Sequence, residues 1–318
     1  MDIIIDKLTE YFNLVAGYFF DGGRRVNIIY LSSSLILAYY VFYKSRREDS
    51  FWRFVFNRKV WLGSSALVDY KIFLFNGVVK LLLIVPYLYL GLLLSFNIYE
   101  WLIARYDYIS APMSNNTTII LYTFTLTVAN DFFAFLTHWA MHKIPFLWEF
   151  HKTHHSATRM NPMTQYRLHP IELIINNIIG TFAFGTITGV FSYLSMGNIS
   201  KWEFLGANVF SVIFFVCGAN LRHSHIRLRY FKWLEHIFIS PLQHQIHHSR
   251  ASIHWNKNFG SHLALWDWLF GTLHLSDKEE TLSFGLGGKD DINYRSFLQN
   301  ILRPIMANLQ RVFDIFIK

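Results

Sequence analysis

Residues 131–155, DFFAFLTHWAMHKIPFLWEFHKTHH, carry an apolar stretch straight into two groups of histidines. The apolar part begins near residue 118 and is long enough for a helix to cross a bilayer core, which takes about 20 mainly apolar residues. His138 and His142 stand at i and i+4 on that helix and share a face. In HKTHH, His151 pairs with either His154 or His155, while those two neighbours diverge by about 100° around a helix. A face-sharing pair suits one metal, and a box whose last members diverge can serve two. The stretch predicts membrane helices that end at a metal centre.

The rest of the chain agrees. Of its 318 residues, 53% are hydrophobic and 16% charged, where a soluble domain carries about a quarter charged. Further stretches long enough to span are 27–43, 72–96, 173–195 and 203–221; the 173–195 stretch is the weakest, since Asn176, Asn177 and three glycines interrupt it. Lys80 lies near enough to an end of 72–96 to snorkel. The expected fold is all-α, an integral membrane bundle of about four to five transmembrane helices with a cytoplasmic helical cap holding a histidine-rich dimetal site. Residues 1–117 supply membrane and interfacial helices, 118–275 the catalytic part and 276–318 an amphipathic tail, as one structural unit without linker or internal repeat. The tail, 293–317, reads as an interfacial helix broken near Pro304, or as a surface helix packed on the catalytic part. The opening stretch lacks a basic n-region and a cleavage site, so an amphipathic surface helix is expected there rather than a signal peptide.

Orientation follows from flanking charge. The 44–71 loop holds Lys44, Arg46, Arg47, Arg53, Arg58, Lys59 and Lys71, against only Arg105 in 97–117 and Lys201 in 196–202. That loop is expected on the cytoplasmic side; Arg24 and Arg25 argue the other way and are outnumbered. Every histidine group then falls on the cytoplasmic side. The net charge of +8 fits anionic lipid headgroups better than nucleic acid, because the basic residues flank apolar segments. A single cysteine, Cys217, excludes an intrachain disulfide, a thiolate zinc site and an iron–sulfur cluster.

Downstream come RHSH, with His223 and His225, and HQIHH, with His244, His247 and His248. A lone histidine on a half-apolar helix is usually a hydrogen-bonded core or surface residue. Two HxxHH boxes behind an HxxxH pair are not explained that way, and together with His223 they offer nine imidazoles. Imidazole suits zinc, copper, iron and nickel. A catalytic zinc takes three protein ligands and a structural one four, so nine histidines exceed one zinc and fit two iron ions, though zinc can replace iron on purification. The Glu-x-x-His ligands of soluble di-iron bundles are absent. Ligating histidines donate their second N–H to an acceptor, and Asp131, Glu172, Asp267 and His169 are the candidates for that supporting layer. His236, His254, His262 and His274 have no box spacing and are read as ordinary residues.

With these boxes in hand, the chain resembles the fatty acid hydroxylase superfamily, in particular its sterol-desaturase-like branch. DFFAFLTHWAMH, HKTHHS, RLHPIE (167–172), RHSH, PLQHQIHHS and NFGSHLALWDWLFGT (258–272) carry the likeness, in order and spacing, over nearly half the chain. The resemblance implies that His138, His142, His151, His154, His155, His223, His244, His247 and His248 are the metal ligands. It also implies a membrane enzyme of the endoplasmic reticulum or bacterial inner membrane. Such an enzyme hydroxylates or desaturates a sterol, fatty acyl or ether lipid with O2 and external electrons. His225 stands where relatives commonly have Asn or an acidic residue and is a further candidate ligand. Without a dinucleotide fingerprint, haem domain or cluster cysteines, electrons are expected from a cytochrome b-type protein or a ferredoxin with its reductase. Aromatic residues beside the boxes (Phe146, Trp148, Phe150, Tyr166, Trp255, Trp266, Trp268) are candidates for a substrate tunnel or for packing. A zinc-dependent membrane hydrolase and a metal-binding transporter are the competing readings.

Overall fold

The computed structural model describes residues 2–204, 206–277 and 281–317. It is helical apart from one two-residue strand pair. In chain order the helices are α1 (Asp2–Gly17), α2 (Ile28–Lys44), α3 (Phe51–Val55), α4 (Arg58–Trp61), α5 (Ser64–Tyr106), α6 (Asn115–Lys143), α7 (Pro145–His155) and α8 (Pro170–Leu194). After β1 (Glu203–Phe204) and β2 (Ala207–Asn208) come α9 (Val209–Val216), α10 (Pro241–His247), α11 (Leu265–Leu269), α12 (Gly288–Asn293) and α13 (Phe297–Ile317). Single 3-10 turns at Pro162–Tyr166 and Ala219–His223 carry chain into the site.

Among the described residues three helical segments are long and apolar enough to cross a membrane: Pro86–Tyr106 in α5, α6 and α8. Their outward side chains are those of a bilayer-facing surface, with Leu88, Leu92, Ile120, Phe124, Ile178 and Phe182 exposed. This is the architecture of an integral membrane protein. At 43 residues, α5 is about 64 Å long, roughly twice a bilayer core. Pro86–Tyr106 overlaps the C-terminal part of the expected 72–96 stretch, and in the first half of α5 Asp69 and Asn76 are buried. α2 has 17 residues and is apolar but shorter than the other three.

The glycines of 173–195 do not interrupt α8. A Cβ on Gly185 would lie 2.9 Å from the Gly91 carbonyl, and one on Gly189 2.7 Å from that of Ser95, so these positions let α8 press against the backbone of α5.

The stretch 203–221 is not a spanning helix. Only the eight residues of α9 are α-helical, after the strand pair in which Glu203 faces Asn208 and Phe204 faces Ala207. The chain climbs back along α6 instead. The Trp202 N–H donates to Thr123 Oγ1 at 2.8 Å and the Asn208 amide to Thr127 Oγ1 at 2.8 Å. Non-helical backbone at membrane depth persists only where protein pairs its polar groups; here the strand pair does so, with Thr123 accepting the Trp202 N–H.

Two polar assemblies fix α7 under the membrane helices. Arg167, 1% exposed, forms an ion pair with Asp69 of α5 at 3.1 Å and donates to the Thr153 carbonyl at 3.0 Å and Ser156 Oγ at 2.8 Å. Against expectation, α13 passes through Pro304 unbroken. A helical proline leaves the carbonyl four residues back without its N–H partner; here that carbonyl, of Asn300, accepts the Thr153 hydroxyl at 2.9 Å. α13 turns Asn300 and Asn308 inward and leaves Leu298, Leu302, Leu309 and Phe313 exposed, the disposition of a helix at a membrane surface.

Candidate metal centre

The nine histidines of the boxes meet in two clusters. His138 and His142 from the end of α6, His151 and His155 from α7 and His247 from α10 form one; His154, His223, His244 and His248 form the other. Within each, one ring nitrogen of every member lies within 4.8 Å of all the others. Helix geometry dictates the division. The i,i+4 pairs 138/142, 151/155 and 244/248 each stay together, whereas the second histidine of each box, His154 and His247, goes to the opposite cluster. α7 and α10 thus each serve both clusters.

In the five-histidine cluster the second ring nitrogens of three members are tied. His138 Nδ1 donates to the Phe259 carbonyl at 2.7 Å, His151 Nδ1 to Glu172 Oε1 at 2.8 Å and His247 Nδ1 to the Lys257 carbonyl at 2.8 Å. An acceptor on Nδ1 holds the proton there and leaves a lone pair on Nε2. The Nε2 atoms of His138, His142, His151, His155 and His247 are all buried and without a hydrogen-bond partner. Buried nitrogens without partners carry a desolvation cost, and a cation at their focus would relieve five at once.

In the four-histidine cluster the Nε2 atoms themselves converge. His223 Nε2 lies 3.3 Å from that of His154, 3.1 Å from that of His248 and 3.0 Å from that of His244, and the last two are 3.2 Å apart. Four nitrogens bound tetrahedrally at 2.0–2.1 Å stand about 3.3 Å apart. One member is differently prepared: Arg222 Nη2 donates to His244 Nδ1 at 2.8 Å. That donor puts the His244 proton on Nε2, so for Nε2 to ligate the proton has to move to Nδ1 and Arg222 to turn from it. Burial pushes His151 and His154 down to about 3, and His155, His223, His244, His247 and His248 well below the usual imidazole range. These seven rings are neutral at pH 7, the form that ligates. Both clusters fit a metal by donor set and by protonation.

Of the supporting candidates, Glu172 touches the cluster directly, through His151. Asp131 does not reach His138, although it shares its helix. It accepts from the His262 N–H at 2.7 Å, His262 Nδ1 at 2.8 Å, the Leu263 N–H at 3.0 Å and Trp266 Nε1 at 3.0 Å. Asp267 accepts from the N–H groups of Phe259 and Gly260 at 2.8 and 2.7 Å and from Thr272 Oγ1 at 2.6 Å. The two aspartates clamp the 259–263 loop from both sides, and that loop presents the Phe259 carbonyl to His138. Both act one step away from the cluster. His169 also stands aside, capping α8 through the Ile171 N–H and binding the Ile301 carbonyl at 3.0 Å. His225 belongs to neither cluster: its Nε2 is 2.6 Å from the Phe54 carbonyl, and its ring packs on Phe54.

Sequence reasoning missed Arg222 and His262. The position of Arg222, directly before His223 at the end of an apolar stretch, was the available signal. His262 carried none, since its partner lies 131 positions away.

Two cavities with no histidine in common reach the clusters. One, of about 650 Å³, includes His138, His151, His154, His223 and His244 in its lining, together with Phe133, Tyr166 and Ile179. The other, of about 430 Å³, is lined by His142, His155, His247 and His248 with Trp148 and Trp255. Trp266 is instead the Asp131 donor described above, and Phe150 packs on His169.

Residues 123–272 match the fatty acid hydroxylase family model. Over those residues, just under half of the chain, it is similar to the fatty acid hydroxylase family. It is 26% identical over 178 residues to ornithine lipid hydroxylase OlsE of Rhizobium tropici, covering 56% of this chain and 48% of that protein. It is 27% identical to alkylglycerol monooxygenase of Caenorhabditis elegans, over 53% of this chain and 30% of that protein. To fatty acid hydroxylase vlmA of Lecanicillium sp it is 29% identical, over 48% and 40%. The matches thus span half or less of each relative's length. No solved structure matches the chain.

Proposed function

We propose that the chain is a membrane-bound non-haem di-iron oxidoreductase that hydroxylates or desaturates a lipid with O2 and external electrons, residues 118–275 forming its catalytic part. One observation carries the reading: nine imidazoles, seven of them buried and neutral, aim their nitrogens at two foci, where among the described residues nothing else is placed to satisfy them. His138, His142, His151, His155 and His247 would hold one iron and His154, His223, His244 and His248 the other. Bound iron would supply the dioxygen activation that oxidation of an unactivated C–H bond requires. The names of the relatives, all hydroxylases or monooxygenases acting on lipids or lipid parts, support the lipid reading.

The chain's own groups do the rest. Glu172 keeps the His151 proton on Nδ1, and the Phe259 and Lys257 carbonyls do the same for His138 and His247. The 650 Å³ cavity lies between the membrane helices and the histidines, so a lipid can enter from the bilayer, and Phe133, Met141 and Ile179 in its wall shield the reacting carbon from water. The histidines lie on the cytoplasmic side in this reading, in endoplasmic reticulum or bacterial inner membrane. The 430 Å³ cavity then faces the cytosol, where a cytochrome b-type protein or ferredoxin with its reductase delivers electrons.

The test is lipid mass spectrometry of cells expressing the wild type against His154→Ala. A lipid that gains one oxygen or loses two hydrogens with the wild type, and does so no longer with the variant, names substrate and reaction together. Active protein carrying stoichiometric zinc and hydrolysing lipid would replace this reading with the zinc hydrolase.

A further inference from the structure

Arg24 and Arg25 are unexplained by the metal centre, and their surroundings are unusual. Both line the 650 Å³ cavity that reaches the histidines, as do Lys80 and Arg222; the one carboxylate in that lining is Glu172, already engaged by His151. Arg24 is paired with exposed Asp21 at 3.3 Å. Among the described residues Arg25, Lys80 and Arg222 have no carboxylate within ion-pair distance. Arg25 contacts Ser261 Oγ at 3.4 Å and lies over the Phe215 ring, while Lys80 donates to the Tyr18 hydroxyl and lies over its ring. Cations drawn partly out of water without an opposite charge are costly. An anion entering this cavity would offset that cost.

Arg24 and Lys80 also line a second cavity of about 460 Å³, between α5 and α8, whose other walls include Leu83, Leu173 and Phe184. The cations therefore stand where an apolar groove between membrane helices meets the chamber of the histidines. Hydrocarbon and anion are accommodated side by side.

We infer that the two cavities together bind a lipid with an anionic headgroup, its phosphate or carboxylate oxygens held by Arg25 and Lys80 and its chain in the apolar space on either side. The assignment rests on the lipid-oxidising reading above and narrows its substrate to an anionic amphiphile. Arg25 and Lys80 are binding residues here, since Arg24 already has a partner.

Native mass spectrometry of the full, metal-loaded chain in neutral detergent tests it, with matched single-chain probes: a lysophosphatidate, a lysophosphatidylcholine and a monoacylglycerol of equal chain length. The wild type should retain the lysophosphatidate at least about tenfold more strongly than the monoacylglycerol, the scale of one charge-assisted hydrogen bond. Surface lysines give some such preference in any basic protein, so the variants isolate the cavity. Arg25→Gln and Lys80→Gln should each reduce the ratio to about threefold or less, and Arg25→Lys should keep most of it. Equal retention of all three probes, or a preference that survives both glutamine variants, overturns the assignment. Inorganic phosphate that binds as tightly as the lysophosphatidate overturns it too, because the site would then be for a free anion. The measurement needs no turnover. A headgroup preference in a protein that oxidises no lipid would sink the oxygenase and leave the site, whereas oxidation of a neutral lipid without this preference would do the reverse.

Discussion

His247 and His248 are consecutive in the chain and belong to different clusters, His247 with His138, His142, His151 and His155, and His248 with His154, His223 and His244. Both sit at the C-terminal end of α10, where one residue's step turns the side chain by about 100°. Removing either should therefore empty a different site. His248→Ala leaves three imidazoles in its cluster, one of them His244 with its lone pair turned to Arg222, whereas His247→Ala leaves four. The expected result is two metals per chain in the wild type, close to one in His248→Ala, and between one and two in His247→Ala. Elemental analysis of protein loaded and then desalted reads this directly. Equal loss in both variants would mean that the clusters do not fill independently.

Glu172 tests how far the pre-set tautomers matter. With Glu172→Ala, His151 loses the acceptor that holds its proton on Nδ1, and metal affinity should drop about 10–100-fold, the usual effect of removing such a partner. Glu172→Gln keeps an acceptor oxygen and should recover much of the difference. Chelator titration of the loaded protein measures it, with helix content by circular dichroism as the control. Affinity unchanged in the alanine variant would show that His151 needs no partner to ligate.

The nine histidines were legible because their information is local: periodicity on α6, α7 and α10 settles which face each occupies, and two boxes with an upstream pair leave few other uses. The supporting groups were less so. Asp131 lies on the face of His138, and spacing alone assigned it there, but its carboxylate serves a loop 131 positions on, which no local pattern reveals. His225 has the same composition signal as His223 two residues earlier and differs only in what tertiary packing puts beside it, the Phe54 carbonyl. The 203–221 stretch failed for a related reason. It is apolar enough to span, yet it opens with a strand pair whose ends are tied to α6 threonines through the Trp202 N–H and the Asn208 side-chain amide. In α8 the glycines that weaken a helix in isolation are what permits its contact with α5.

The clamp on the 259–263 loop gives a third expectation. Asp131→Asn keeps one acceptor oxygen for four donors, and Asp267→Asn does the same for three. Each should destabilise the protein by about 1–3 kcal/mol, the cost of leaving buried donors unpaired. Because both hold one loop, the double variant should lose less than the sum of the singles by at least about 0.5 kcal/mol. Thermal unfolding in detergent, followed with metal present and absent, measures the cycle. Strict additivity would mean that the two aspartates act on separate elements.

Thr153 and Pro304 make the fourth, and they connect the histidine helix to the C-terminal one. Pro304 has no N–H for the Asn300 carbonyl, and the Thr153 hydroxyl takes its place at 2.9 Å in a buried setting. In Thr153→Val that carbonyl keeps no donor, at an expected cost of about 1–3 kcal/mol. In Pro304→Ala the helix regains its own donor at that carbonyl, so adding Thr153→Val there should cost at least about 0.5 kcal/mol less. Since Thr153 sits between His151 and His154 on α7, its loss should also loosen both metals while leaving all nine imidazoles in place. Unfolding midpoints and metal retention for the four proteins of this cycle separate the cases. If Thr153→Val is equally costly in both backgrounds, the hydroxyl matters for some reason other than the proline, and the continuity of α13 needs a different cause.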